Sequence, residues 1–374
     1  MLELEASDLY LTVGMPPVYR VEGTATPDTE EPEFSSEDTL TLANMTMNDG
    51  QRTEFFDKKE MNLALALAGL GRFRCNIFQQ RGTVGMVVRQ IKEKVPSVES
   101  LGLPSILNQI IETKRGLVLV VGATGSGKST TLAAMIDWRN SMVPGHIVTI
   151  EDPIEFMHPH KRCILTQREV GFDTLSFHEA LRNTLRQAPD VILIGEVRDS
   201  ETMEAAITFA ETGHLCITTL HSNNANQAIE RIMNFFPSNR HSQIYLQLSL
   251  NLRSIISQRL VPGVDGMRVA ALEVLMDTPR VQDLIKKGEI DTLKEAMEMG
   301  EQEGCQTFDR ALYLLHVEGK ITLEEALANA DSANNLRIRI RNSDFKQAAA
   351  PAEGTPTFRI EGKREPPPFA VRKL

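Results

Sequence analysis

Residues 117–135 read Leu117-Val118-Leu119-Val120-Val121-Gly122-Ala123-Thr124-Gly125-Ser126-Gly127-Lys128-Ser129-Thr130-Thr131-Leu132-Ala133-Ala134-Met135. The first five are an apolar, largely β-branched run, which predicts a strand buried on both faces of a parallel sheet. The last six predict helix. Between them stands Gly-X4-Gly-Lys-Ser, and strand, glycine loop and helix in that order form the phosphate-cradling loop. Its residue types follow from its chemistry. Glycines let consecutive backbone N–H groups close around phosphate oxygens, and the helix N-terminus adds partial positive charge. Lys128 reaches the β- and γ-phosphates, and the Ser129 hydroxyl is an oxygen ligand for Mg²⁺. Gly122 to Thr130, with Ala123, Thr124, Gly125, Ser126 and Gly127 between, is thus the expected binding segment for ATP.

Working outward, a chain of 374 residues predicts two domains and a tail. The segments are 1–94, a small α+β domain; 95–102, a linker; 103–345, the ATPase domain; and 346–374, a proline-rich tail expected to be disordered. In the first, Ser7 to Val13 and Gly69 to Phe78 alternate apolar and polar side chains, as half-buried strands do. Gly82 to Ile91 follows as a hairpin partner. In the third, short apolar runs at Leu117–Val121, His146–Ile150, Val191–Ile194, Leu215–Thr219 and Val269–Val274 alternate with helical patterns. That alternation predicts a parallel α/β sheet. Asn251 to Leu260 and Val281 to Met299 read as helical, and Leu336 to Arg341 as either a short strand or a basic helix end. A net charge of −10 disfavours a nucleic-acid partner. No apolar run is long enough to span a membrane and no secretory signal is visible, so the location expected is cytoplasmic. Cys75, Cys163, Cys216 and Cys305 are too widely spaced for a zinc knuckle or a disulfide framework.

Phosphate hydrolysis needs an oriented water, a metal ion and stabilisation of transition-state charge. Two acidic clusters follow predicted strands: Glu151-Asp152-Pro153-Ile154-Glu155, and Gly195-Glu196-Val197-Arg198. Strand carboxyl ends face the ligand crevice of a parallel sheet, so both clusters can converge on the phosphates. Alone, either would read as a solvated loop. His214 and His221 bracket one strand and lie ~20 Å apart when it is extended, which excludes a shared metal site. Arg72, Arg74 and Arg89 lie in the other domain. An arginine delivered to a γ-phosphate is worth about 10³–10⁵ in rate, although strand arginines are commonly solvated or salt-bridged.

Ala6-Ser7-Asp8-Leu9, Gly71-Arg72-Phe73-Arg74, the phosphate loop, the acidic box Thr149 to Glu155, Ile194 to Asp199 and the histidine box Glu211 to His221 occur in the order found in one family. The chain resembles the type IV pilus retraction ATPases, the PilT/PilU branch of the secretion ATPases, over nearly its whole length to about Ile340. The resemblance implies a PAS-like N-terminal domain and a RecA-like ATPase domain, assembled as a homohexamer. It implies that Glu155 orients the attacking water and that Glu196 supports Mg²⁺ and the γ-phosphate. His214 and His221 would link nucleotide state to the neighbouring subunit, and Arg74 and Arg89 would reach the phosphates. Domain rotation would then turn an inner-membrane platform protein, with membrane association only through partners.

Departures narrow the expectation. The principal retraction motor carries Ala-Ile-Arg-Asn-Leu-Ile-Arg-Glu where this chain has Arg280-Val281-Gln282-Asp283-Leu284-Ile285-Lys286-Lys287-Gly288-Glu289. That change, with Gln187 to Asp190 and Asn223 to Gln227, is similar to the accessory PilU type, which implies work alongside a PilT-type paralogue. Pilus-assembly and type II secretion ATPases usually carry a zinc-binding tetracysteine and a longer N-terminal region, and neither is visible here. A RecA-like nucleic-acid translocase would need basic pore loops, against the acidic balance.

Overall fold

The computed structural model describes residues 1–21, 23–67, 69–91 and 94–348, with side chains as far as Asn342. From residue 349 on, the expected proline-rich tail lies outside the described residues.

The N-terminal part comprises β1 (Asp8–Leu11), β2 (Val18–Val21), β3 (Thr24–Pro27), α1 (Ser36–Thr46), α2 (Asp49–Lys58), β4 (Glu60–Leu67), β5 (Gly71–Gln80) and β6 (Thr83–Ile91). Its six strands form one antiparallel sheet in the order β3-β2-β1-β6-β5-β4. Period-two alternation sorts β5 onto two faces. Phe73, Cys75 and Ile77 are buried, and Cys75 and Ile77 join Phe55, Met61, Leu63 and Met86 in a core beneath α1 and α2. Arg72 and Arg74 take the opposite face. Both helices begin with reciprocal caps, Ser35 with Asp38 and Asn48 with Gln51, which satisfy N–H groups the helices cannot pair themselves.

The larger part follows: α3 (Ile106–Glu112), β7 (Gly116–Val121), α4 (Lys128–Met142), β8 (Gly145–Glu151), β9 (Cys163–Glu169), α5 (Phe177–Thr184), β10 (Val191–Ile194), α6 (Ser200–Glu211), β11 (Leu215–Leu220), α7 (Ala225–Asn234), α8 (His241–Asn251), β12 (Leu252–Pro262), β13 (Arg268–Met276), α9 (Pro279–Lys287), α10 (Leu293–Met299), α11 (Phe308–Val317), α12 (Leu323–Asn329) and α13 (Ala333–Ala348). Seven strands form a sheet in the order β13-β12-β7-β11-β10-β8-β9, and only the β12–β13 pair is antiparallel. Every residue of β7, β10 and β11 is buried, because cores cover both faces of the sheet. That double burial is why these strands read as unbroken apolar runs. Val98 and Leu103 pack into one of the two cores, so the chain between the sheets is seated on the larger one.

Two local expectations need correction. Residues 252–260, expected to be helical, lie in β12, paired in parallel with β7 and antiparallel with β13. Its Ser254, Ser257 and Gln258 are buried strand residues; the Ser257 hydroxyl donates to Glu273 Oε1 at 3.0 Å. Val281 to Met299 is not continuous: α9 ends at Gly288, and a single tight turn at Ile290–Thr292 precedes α10. Strand β9 was not expected, because its alternation of Cys163, Leu165 and Gln167 is weak. Leu336 to Arg341, left open between strand and helix, is helical within α13.

Candidate functional site

Four adjacent parallel strands, β7, β11, β10 and β8, deliver the chemistry at their carboxyl ends. The glycine loop follows β7, His221 follows β11, Glu196 follows β10, and β8 ends in Glu151 and leads into Asp152 to Glu155. They converge on a cavity of about 280 Å³ lined by Thr124, Gly125, Lys128, Ser129, Glu151, Asp152, Glu155, Gly195, Glu196, Arg198, Thr219 and His221, among others. Because β11 is inserted between β7 and β10, His221 stands between the loop and Glu196.

The loop is shaped by what lies behind it. A Cβ on Gly122 would sit 2.6 Å from the Gln258 carbonyl oxygen and inside the contact distance of Ser126 Oγ. Gly127 has φ +89°, and a Cβ there would lie 2.7 Å from Gln258 Nε2. Thr131 Oγ1 donates to Gln258 Oε1 at 2.7 Å in the interior, so β12 clamps both the loop and the first turn of α4. Gly127 caps α4 without a side-chain bond, which leaves the first N–H groups of the helix to face an anion. On the far side of the loop a second, wider cavity is lined by Asn223, Gln227, Arg259, Arg268 and Asp331.

Lys128 Nζ donates to the carbonyl oxygens of Gly122 at 2.8 Å and Ala123 at 3.0 Å. Partial burial lowers its pKa, while the carboxylates of Glu196 and Glu155 oppose the shift. Those two acids therefore face the lysine through the cavity. Glu196 accepts from Arg198 at 2.9 Å, and His221 Nε2 lies 3.3 Å from it. The Thr219 hydroxyl donates to the Gly195 carbonyl at 2.6 Å and fixes the turn carrying Glu196. Glu155 sits exposed on the loop after β8. Glu151, at the end of β8, accepts from Thr149 Oγ1 at 2.6 Å and from Gln167 Nε2 at 3.4 Å. Burial pushes its carboxyl up to about 7, more than these bonds pull it down.

The remaining expected residues lie elsewhere in the subunit. His214, at the opposite end of β11, approaches Thr212 Oγ1 and the Phe209 carbonyl at 3.1 and 3.2 Å. Arg89 donates to the buried Asp8 carboxylate at 2.7 Å. Arg74 stands directly opposite Arg89 on the neighbouring strand. Arg72 reaches Met157 Sδ at 3.7 Å, so the arginine face of the N-terminal sheet looks toward the loop that carries Glu155. Sequence reasoning missed Gln258 and Thr131 as site-shaping residues, and Glu151 and Gln167 as a polar floor. Glu151 was visible within its acidic box, but nothing local marks Gln258, which lies in a strand mistaken for helix.

Fold and site together define a RecA-like phosphate-loop ATPase domain carried behind an antiparallel N-terminal domain. The family model described as "Type II/IV secretion system protein" matches residues 62–365. The type IV pilus ATPase PilU of Pseudomonas aeruginosa is 56% identical over 342 residues, 91% of this chain and 89% of the relative. The retraction ATPase PilT of the same organism is 43% identical, covering 88% of this chain and 96% of PilT. A crystal structure of the pilus retraction motor PilT with bound ADP superposes with a TM-score of 0.84 at 43% identity, over 90% of this chain and 96% of that one. This chain belongs to the type II/IV secretion system protein family and, within it, to the PilT/PilU type IV pilus ATPases. It is an ATPase. Among the described residues no helix is long and apolar enough to cross a membrane.

Proposed function

We propose that the chain hydrolyses ATP to drive type IV pilus retraction, as a homohexamer that assists a PilT-type paralogue. It would act on the cytoplasmic side of an inner-membrane platform protein. The observation that carries the proposal is the convergence of Lys128, Ser129, Glu155, Glu196 and His221 on one cavity at the carboxyl ends of four parallel strands. The glycine-loop N–H groups and Lys128 would grip the triphosphate, and Glu155 would orient the attacking water. Glu196, held by Arg198 and His221, would report the γ-phosphate to β11 and its neighbours. The donor set, one hydroxyl and several carboxylates, suits a hard cation coordinated mainly by phosphate and water, and Ser129 and Glu196 would hold Mg²⁺. That ion would supply neutralisation of charge on the phosphate oxygens. His214, at the far end of β11, and Arg74 and Arg89, on the N-terminal sheet, would act between subunits. The similarity to PilU over most of both chains supports the accessory role.

The test pairs two measurements. Lys128→Ala should abolish ATP hydrolysis by the purified protein. In a strain lacking the PilT-type paralogue, the wild-type protein should retract pili poorly or not at all, and full retraction there would overturn the accessory role.

A further inference from the structure

Glu169 belongs to none of the segments that mark the family, yet it occupies an unusual position. It ends β9, the edge strand of the large sheet, in register with Glu151 of β8. An edge-strand acid would ordinarily be solvated, but Glu169 is only 3% exposed. Its backbone is locked at both polar atoms: its N–H donates to Asp173 Oδ2 at 2.9 Å, and its carbonyl accepts from Asp173 N at 2.8 Å. Its Oε2 accepts from the backbone N–H of Ile154 at 3.4 Å. Ile154 is buried and directly precedes Glu155. A buried carboxylate bonded to one amide needs further compensation. Among the described residues no cation lies within ion-pairing distance of it. Compensation comes through space from Arg74 and Arg72, which oppose the upward shift that burial imposes on its carboxyl. The contact of Arg72 with Met157 brings that arginine face against the same loop.

We propose that Glu169 is a positioning residue that couples Arg74 of the N-terminal sheet to the loop bearing Glu155. One carboxylate serves both groups: it holds the amide that sets where the Glu155 loop begins, and it is the buried charge that Arg74 offsets. When Arg74 is drawn to phosphate, Glu169 loses its compensating charge and its hold on the Ile154 amide changes. By reciprocity, the position of the Glu155 loop biases where Arg74 resides. The idea rests on the roles proposed above for Arg74 and Glu155. A purely structural Glu169 would stabilise the loop without regard to Arg74.

The experiment is a mutant cycle on the full-length assembled protein, measuring kcat and KM for ATP together with thermal unfolding. Its members are Arg74→Ala, Glu169→Gln, the double variant, and Glu155→Gln as a reference. The proposal expects Glu169→Gln to lower kcat with KM within about twofold. It expects the effect of Arg74→Ala to shrink about fivefold or more when Glu169 is already glutamine. Additive effects, or wild-type turnover in Glu169→Gln, overturn it. If that happens while Arg74→Ala and Glu155→Gln are each slow, the coupling alone is wrong. If either of those two turns over at the wild-type rate, the proposed role of that residue falls and the coupling falls with it. Should Glu169→Gln not fold, Glu169→Asp takes its place, since it keeps the charge while shortening the reach to the Ile154 amide, and its outcomes are judged in the same way.

Discussion

Replacing Gly122 with alanine tests whether the phosphate loop owes its shape to the strand behind it. The added methyl would stand 2.6 Å from the Gln258 carbonyl oxygen, where ordinary contact begins at 3.4 Å, a shortfall of about 0.8 Å. The Ser126 hydroxyl can rotate away, but the carbonyl cannot. It belongs to β12, whose Gln258 pairs with Leu272 while the preceding Ser257 pairs with Val121. The loop must therefore move, and overpacking of this kind costs about 1–3 kcal/mol. A shift near 0.8 Å also carries an N–H that meets a phosphate oxygen near 2.9 Å out of hydrogen-bonding range. Each such charge-assisted bond is worth about 1.5–3 kcal/mol, so losing one weakens ATP binding by roughly 10- to 150-fold. Titration with a fluorescent ATP analogue measures the affinity, and scanning calorimetry the fold. The expected result is weaker binding by at least 10-fold with Tm lowered by about 2–10 °C. Affinity within threefold of wild type at unchanged Tm would refute the clamp.

Three further outcomes are expected. Glu155→Gln should retain ATP but lower turnover by about 100-fold or more, as for loss of a group that activates water; undiminished turnover would assign the water to another residue. Burial raises the Glu151 carboxyl to about 7, so the folded state favours its proton. Its contribution to stability is whole below the unfolded pKa near 4.5 and is lost as pH rises through 7, a swing of as much as about 3 kcal/mol. Glu151→Gln should therefore gain stability relative to wild type between pH 5 and pH 8 in urea unfolding, and a difference that does not vary with pH would contradict the assignment. Arg89→Ala leaves the buried Asp8 without its cation and should cost about 1–2 kcal/mol, less than a fully buried pair because Arg89 is exposed. Faster amide exchange in β1 and β6 would register that loss, whereas unchanged exchange with abolished hydrolysis would place Arg89 at the phosphates instead.

Much of this molecule is legible in the chain because its signals are local. A strand buried on both faces must be apolar throughout, and a loop that wraps phosphate must be rich in glycine. Both conditions are written between Leu117 and Ser129. The apolar runs His146–Ile150, Val191–Ile194 and Leu215–Thr219 are equally plain, and acids or a histidine come shortly after each. What the chain hides is whatever depends on a distant partner. Residues 252–260 carry serines and a glutamine that suit a helix surface, yet they form an interior strand, where Glu273 bonds Ser257 and Thr131 bonds Gln258 across the fold. The clamp at Gly122 comes from a residue 136 positions later in the chain. Nothing in the chain says whether Arg89 is solvated or paired until Asp8 appears beside it. Glu169 reads as one acid among many until the packing of β9 buries it. Chemistry confined to a single turn was thus determined by the sequence alone. Which acids meet the lysine, which arginines are already paired and which carboxylate is buried against the Glu155 loop were decided only in three dimensions, because charge and contact act through space and not along the chain.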